Sequence, residues 1–375
     1  MIDAHELHEL AEMDTRPHPT VSLYLALDQT REARLQALSD LINRKKLDMN
    51  GNGSRKVFES VAGDLDKARR YLEEMEPGGA GGLALFSCEP AGLFEAYTLP
   101  LPVADRLEVG PVPYIRPLGA LTRDFACTLA VVADRRSARF FVGSLGELEE
   151  LRDQAMVSTA VPSERHGDRG RTMDSHLKRR AEETTRNLYK EAAQRAMDLM
   201  NAHQCQGLVI GGPKGAAEAL QAQLHPFLAE RLEGCFVCEV GASPATVAAA
   251  AAAVQSDART ARHDRLLETL NNNLGPGGQA TSGLNEVLAS LYEGKVHTLL
   301  IAGDYTISGG ACPVCGRLRH VAGPCPICGE DMTRVHDVVN LAVAQAIDSG
   351  AVVEEMQDIA GMERVGNIAA LLRYA

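Results

Sequence analysis

The chain reads as a multidomain α/β protein, and three observations predict this. Its 375 residues exceed what one hydrophobic core comfortably serves, so two or three domains are expected. Apolar strand patterns alternate with helices, as in GLVIGGPKGAAEALQAQL, where a buried strand meets a glycine turn and then a helix. A hydrophobic content of 45% with 23% charged residues is ordinary for a soluble globular chain.

The first section runs to about residue 118. It opens with an alternating strand, Thr20 to Leu27 (TVSLYLAL). Two helices follow, around Arg31 to Lys46 and Lys56 to Glu74, with LDMNGNGSR as the flexible turn between them. GGLALFS, Gly81 to Ser87, reads as a second buried strand, and the proline-bearing GPVPYIRPLG, Gly110 to Gly119, closes the section. The middle section, 119–256, begins with two apolar strands flanking a tight Asp134-Arg135-Arg136-Ser137 turn, a hairpin signature. Further on, GGPKG follows a strand but lacks the phosphate-loop spacing, so it reads as a plain strand-to-helix turn. Ser243 and Pro244 read as the N-cap and first position of an ordinary alanine-rich helix.

Between these parts lies the most informative stretch. A glycine-punctuated loop, Arg165 to Arg171 (RHGDRGR), opens into a long helical segment. Leu177, Ala181, Thr184, Leu188, Ala192 and Leu199 share one face of that helix, with Arg179, Arg186 and Lys190 on the opposite side. Composition alone favours a solvated face on which Glu183 pairs Arg179. The alternative is a basic loop and helix that approach phosphates.

The third section, 257–375, holds helices around Ala261 to Asn271 and Thr281 to Tyr292, then a strand, His297 to Gly303. A cysteine cluster interrupts, followed by a helix, Asp337 to Ser349, and a strand-like AVVEEM. Cys312-Pro-Val-Cys315-Gly and Cys325-Pro-Ile-Cys328-Gly are two copies of one device, within a minidomain at 310–332. Four thiolates suit tetrahedral Zn²⁺ with no open position, which implies a structural role. His320 and His336 are surface residues beside a complete ligand shell. Cys235 and Cys238, in GCFVCEV, read as core packing on a buried strand, and the nine cysteines do not form a disulfide scaffold.

Composition also excludes. A formal net charge of −12 argues against indiscriminate binding to polyanions, so phosphate contacts must come from local basic clusters. The absence of Trp argues against stacking platforms for single-stranded nucleic acid. The N-terminus lacks a signal-peptide pattern, and the longest apolar run, Val247 to Val254, is too short to span a bilayer. Cytoplasmic location is expected, with neither a membrane nor DNA as partner.

The order of parts resembles the archaeo-eukaryotic class-1 peptide release factors and their bacterial relatives. The residues that carry this are HGDRGR…HLKRRAEETTRNLYKEAA, GLVIGGPKGAAEAL, EGKVHTLLIAGD, the two knuckles and GAVVEEM…ERVGNIAALLRYA. The resemblance implies three domains: one reaching the decoding site, a ribonuclease-H-like middle domain, and a C-terminal domain like the kink-turn-binding proteins with a zinc insertion. Two family motifs are missing. The 165–171 loop has no Gly-Gly-Gln, and LDMNGNGSR stands where the Asn-Ile-Lys-Ser decoding motif would be. A literal Gly277-Gly278-Gln279 occurs in the third section, where the family has an ordinary loop, and it is read as a coincidence of composition.

The resemblance therefore implies a translation factor that sits in the ribosomal A site, in hibernation or rescue, without reading stop codons. Its partners would be rRNA and an elongation-factor GTPase. Arg165, Arg169 and Arg171, with Lys178, Arg179, Arg186 and Lys190 of the helix, would meet phosphates; Lys45, Lys46, Arg55 and Lys56 would do so near the decoding centre. Two enzymatic rivals remain. Peptidyl-tRNA ester hydrolysis would use His166, Gly167, Asp168 and Gly170 of the loop. A metal-dependent nuclease would need more carboxylates than Asp124 and Asp134. The non-catalytic rival is a zinc-stapled adaptor for another protein.

Overall fold

The computed structural model describes residues 4–13, 15–48, 52–76, 80–99, 102–118, 127–144, 147–157, 171–275, 277–303, 305–356 and 361–374. At 4–5, 48, 52–55, 144, 147 and 171–178 it describes the backbone only. The fold is mixed α/β, and contacts divide it into two compact units, residues 1–123 with 265–375 and residues 124–264.

The first unit contains two four-stranded sheets. In one, β1 (Thr20–Ala26) lies between β2 (Gly82–Cys88) and β4 (Arg106–Gly110), with β3 (Leu93–Leu99) outside β2. Every pairing in this sheet is antiparallel. Helices α2 (Arg31–Asp48), α3 (Asn52–Ser60) and α4 (Ala62–Glu74) pack Leu38, Phe58 and Leu72 against Leu23 and Leu85 on one face. The opposite face carries Tyr24 and Phe86, covered by Leu7 and Leu10 of α1 (Ala4–Glu12) and by Tyr114, Ile115 and Leu118. β1 is thus buried on both faces, where the sequence pattern suggested alternation. The helical region also differs from expectation: a helix already begins at Asn52 inside the Asn/Gly turn, and a break at Val61 separates it from α4.

The middle unit has a five-stranded path in the order β10-β9-β5-β6-β7: Leu232–Val237, Gly207–Gly212, Thr128–Ala133, Ser137–Ser144 and Glu147–Glu150. A short β8 (Met156–Val157) pairs with β6. Strands β5, β6 and β7 form an antiparallel meander, and β9 and β10 run parallel to β5. This order and sense are those of a ribonuclease-H-like sheet. One face packs on the long helix α5 (Arg171–Ala202) and on α6 (Ala216–Gln221) and α7 (Pro226–Ala229). The other packs on Val247 and Ala251 of α8 (Pro244–Asn273), which Ser243 caps by accepting from the Thr246 amide at 3.1 Å.

Two expected helices are one here, because nothing in the alanine-rich run breaks α8 before Asn273. The helix expected from Thr281 is instead a strand, β11 (Ala280–Ser282), followed by α9 (Leu284–Tyr292). Gly283 separates them with a φ of 84°, which ends the strand. The second sheet of the first unit has the order β11-β17-β12-β16, with β12 (Val296–Ala302), β16 (Val352–Met356) and β17 (Ile368–Leu372). Helices α9 and α10 (Val338–Asp348) cover one face, and Leu270 with the end of α8 covers the other, giving three layers. Among the described residues, no helix is long and apolar enough to cross a membrane.

One cysteine expectation is corrected, and one pairing is new. Strand β10 lies at the edge of its sheet, so Cys235 is exposed and Cys238 is half-buried. Cys127 and Cys205, which precede the adjacent parallel strands β5 and β9, form a disulfide with a Cα–Cα distance of 4.3 Å. Their separation of 78 residues hid the pair from any spacing argument.

Candidate nucleic-acid interface and metal centre

Two features of the chain have the chemistry of a site. The first is the outer face of α5. From Leu188 onward the helix is anchored by Tyr189, Ala192, Ala196 and Leu199 in the core. The periodicity that buries these residues turns Arg179, Arg180, Arg186, Lys190 and Arg195 outward, and all five are exposed. The loop residues Arg165, His166, Gly167, Asp168, Arg169 and Gly170 lie outside the described residues. Arg171 and Lys178 are placed by backbone only, within α5.

The fold adds two cations that sequence reasoning did not connect with this helix. In the β5–β6 turn, Asp134 Oδ1 accepts from the amides of Arg136 and Ser137 at 2.8 and 2.7 Å, and from the Ser137 hydroxyl at 3.1 Å. This Asx-type closure uses the carboxylate as a turn former, so it does not present a metal ligand. It also exposes Arg135 and Arg136 beside α5, where Thr185 donates its hydroxyl to the Arg135 carbonyl at 3.4 Å. Tyr189 registers the same turn: burial raises its phenol above the usual value, the Asp134 charge adds to this, and Arg135 opposes it. The turn was legible in the sequence, but its position against the helix is a product of topology.

The first-section cations are placed differently. Lys45 donates to Glu108 on β4, and the two side chains are only 12% and 18% exposed, so this ammonium is already enclosed. Lys46 is exposed and stands over the Phe58 ring, 5.8 Å from its centroid. Lys56 is exposed on α3, and Arg55 is described by backbone only.

The second feature is the knuckle minidomain. A small sheet, β14-β13-β15 (Leu318–Arg319, Gly309–Ala311, Thr333–Val335), carries two matching turns. In one, the Gly316 amide donates to the Cys312 carbonyl at 3.0 Å; in the other, Gly329 donates to Cys325 at 2.9 Å. Gly316 and Gly329 have φ of 74° and 78°, a conformation open to glycine and strained for other residues. The sulfurs of Cys312, Cys315, Cys325 and Cys328 all lie within 4.8 Å of one another. Three of the separations are 3.4, 3.5 and 3.9 Å. A tetrahedron with metal–sulfur bonds of about 2.3 Å has edges of about 3.8 Å, so the donors fit such an ion.

The backbone prepares Cys325 and Cys312 for negative charge, whereas at Cys328 the Glu330 amide is outweighed by the neighbouring sulfurs and burial, which push the thiol up to about 12. The amide of Cys328, with that of Ile327, lowers the Cys325 thiol to about 6, and the amides of Cys315 and Val314 lower Cys312. The buried cluster of the minidomain consists of Cys312, Cys325 and Met332, too small a core to hold it alone. His320 and His336 are exposed.

Gly277-Gly278-Gln279 has a local structural use. A Cβ on Gly278 would stand 1.9 Å from the Asn273 carbonyl oxygen, and the Gln279 carbonyl accepts from the Leu372 amide at 2.9 Å. The tripeptide therefore closes the end of α8 and leads into the pairing of β11 with β17.

Residues 113–256 match the sequence model of bacterial archaeo-eukaryotic release factor family 10. No curated protein matches the chain. Among solved structures, an archaeal translation termination factor, aRF1, is similar at 17% identity, covering 100% of this chain and 99% of that one, with a TM-score of 0.25. Pelota of Archaeoglobus fulgidus aligns at 15% identity over 78% of this chain and 80% of its own, with a TM-score of 0.31. The S. cerevisiae translation termination-like factor Dom34 aligns at 12% over 78% and 80%, with a TM-score of 0.41. The part of the chain that matches is thus the middle unit, where the ribonuclease-H-like sheet and the basic helix lie, and that part is similar to the bacterial archaeo-eukaryotic release factors of family 10.

Proposed function

We propose that this chain is a translation factor that binds ribosomal RNA in the A site, in ribosome hibernation or rescue, without reading stop codons. The observation that carries the proposal is the outer face of α5, extended by Arg135 and Arg136. From Arg165 to Lys190 the sequence has eight Arg or Lys and four Asp or Glu, in a chain of formal net charge −12. Such local concentration directs an acidic molecule to polyanions by one face only. The family's usual tripeptide and decoding motif are missing from their places, which supports binding over stop-codon reading and peptide release. Delivery by an elongation-factor GTPase and a cytoplasmic site of action belong to the same reading.

We also propose that the four cysteines hold one structural Zn²⁺, leaving no position for substrate. Native mass spectrometry should find one zinc per chain, and Cys312→Ser with Cys325→Ser should abolish it.

Sedimentation of lysate through a sucrose gradient tests the main proposal. The protein should travel with 70S particles at moderate salt and leave them at high salt, as phosphate contacts exchange for counterions. Protein that stays at the top at every salt concentration would instead favour the zinc-stapled adaptor.

A further inference from the structure

The middle unit holds a bond that the proposed function does not use. Cys127 precedes β5, Cys205 lies between α5 and β9, and a disulfide joins them. The four knuckle cysteines, read as thiolate ligands, call for a reducing compartment. In such a compartment a disulfide is transient, catalytic or redox-sensing, and is seldom a permanent brace.

The backbone keeps the two cysteines side by side whether or not their sulfurs are joined. The Cys127 carbonyl accepts from the Gln206 amide at 2.7 Å, and the Cys205 amide donates to the Met200 carbonyl at 2.9 Å. Directly beyond them, Thr128 is in register with Gly207 in the parallel ladder of β5 and β9. Leu129, Tyr189, Leu199, Leu208 and Leu228 belong to the same buried cluster as Cys205, so the unit has an apolar core of its own. Opening the bond therefore leaves two thiols within reach of each other, and closing it again is an intramolecular step.

The pair can also be reached from outside. Cys127 is only half-buried. Cys205 is 7% exposed, yet it forms part of the wall of a polar cleft with Asn201, Gln204, Gln206 and Arg231.

We propose that Cys127 and Cys205 are a thiol–disulfide switch that exchanges with a small thiol of the glutathione class. A glutathione thiolate attacks the sulfur of Cys127, the more exposed of the two. Its new sulfur–sulfur bond forms as the Cys127–Cys205 bond breaks, and Cys205 leaves as a thiolate that takes a proton from water. A second glutathione thiolate attacks the glutathione sulfur of this mixed disulfide, releasing the Cys127 thiolate and one glutathione disulfide. Two glutathiones thus give up the two electrons, and glutathione disulfide restores the bond by the reverse steps. The closed form clamps the segment after the basic helix to β5; the open form leaves it held by hydrogen bonds and packing alone.

The test equilibrates the full-length protein in anaerobic glutathione buffers, from fully reduced to fully oxidised, and measures zinc in each sample. Acid quenching, alkylation and peptide mapping then read the state of every cysteine. The peptides linked through Cys127 and Cys205 should be absent in excess reduced glutathione and dominant in excess glutathione disulfide. Cys205→Ser should retain one glutathione on Cys127, the adduct that the wild type resolves. While zinc is retained, the closed wild type should melt several degrees above the open form, and Cys127→Ser should melt alike in both buffers. A link that survives excess reduced glutathione, a link that never forms, or one opened by a protein dithiol but not by glutathione would each overturn the proposal. The wild-type map decides this even if neither variant folds, and loss of zinc with an intact switch would count against the knuckle reading alone.

Discussion

Two arginines in the first unit are equally hidden and oppositely treated. Arg116, 5% exposed, engages both of its terminal nitrogens. Nη1 donates to the Tyr305 carbonyl at 2.5 Å, and Nη2 donates to the carbonyls of Ala302 and Gly303 at 3.0 and 2.6 Å. Glu355 and Asp337 stand 3.3 and 3.7 Å away. Its own amide donates to Asn340 Oδ1 at 3.1 Å, and Asn340 donates in return to the Pro113 carbonyl at 3.2 Å. Arg34, 4% exposed, has two nitrogens with none of this. Burial alone therefore does not tell what an arginine is for; the inventory of its partners does. Arg116 fastens the segment after β4 to the sheet that contains β12 and β16, whereas Arg34 has two buried nitrogens without a partner among the described residues.

The largest effect that would break this contrast is at Arg116. Arg116→Met strands Asp337 and Glu355 and orphans several carbonyls, so it should cost about 3–5 kcal/mol in chemical denaturation. A cost within about 1 kcal/mol would mean that the network is ornamental. Next is Tyr114→Phe. The hydroxyl accepts from Arg106 at 3.0 Å and donates to Asp337 at 3.2 Å, so its removal should cost about 0.5–1.5 kcal/mol.

A third arginine sharpens the contrast through pH. Arg139 Nε donates to Glu150 at 2.6 Å, and Nη1 donates to the carbonyls of Val240 and Ala242 at 2.6 and 2.7 Å. The hydrogen bond from Arg139 holds the Glu150 carboxyl below its usual range, against the opposing effect of burial. A depressed carboxyl contributes stability above its unfolded pKa of about 4.3, and this is lost as pH falls through the lower folded value. Glu150→Gln should therefore flatten the acid limb of a stability-versus-pH curve below about pH 4 and leave its shape near neutrality unchanged. Arg34→Met completes the series, with no expected loss of stability on chemical denaturation, since it replaces a buried, unpaired charge by an apolar chain of similar length.

Parts of this molecule were legible in its sequence because they are local. The two C-P-x-C-G repeats specify both ligand identity and turn geometry within five residues each, and their four sulfurs come together in space. The Asp134 turn and the Ser243 cap were legible for the same reason. What failed were inferences about surroundings. Cys235 looks buried in GCFVCEV, but whether a strand is central or at an edge depends on strand order, which periodicity does not encode. Lys45 looks free beside Lys46, yet Glu108, 63 positions away on β4, meets it from the sheet on which the helix packs. Arg34 gives no signal at all in sequence, since its peculiarity is that two buried nitrogens find no hydrogen-bond partner among the described residues.

The exposed arginines of α5 are the third case, with no ion pair among the described residues, and the central claim rests on them. Reversing Arg179, Arg186 and Lys190 to Glu leaves the buried face of the helix intact and turns three of its five exposed cations, among the described residues, into anions. Co-sedimentation of that variant with purified 70S ribosomes at moderate salt, beside wild type, is the most direct measurement. The account predicts an equally folded protein that no longer pellets with ribosomes; a variant that pellets as the wild type does would contradict it.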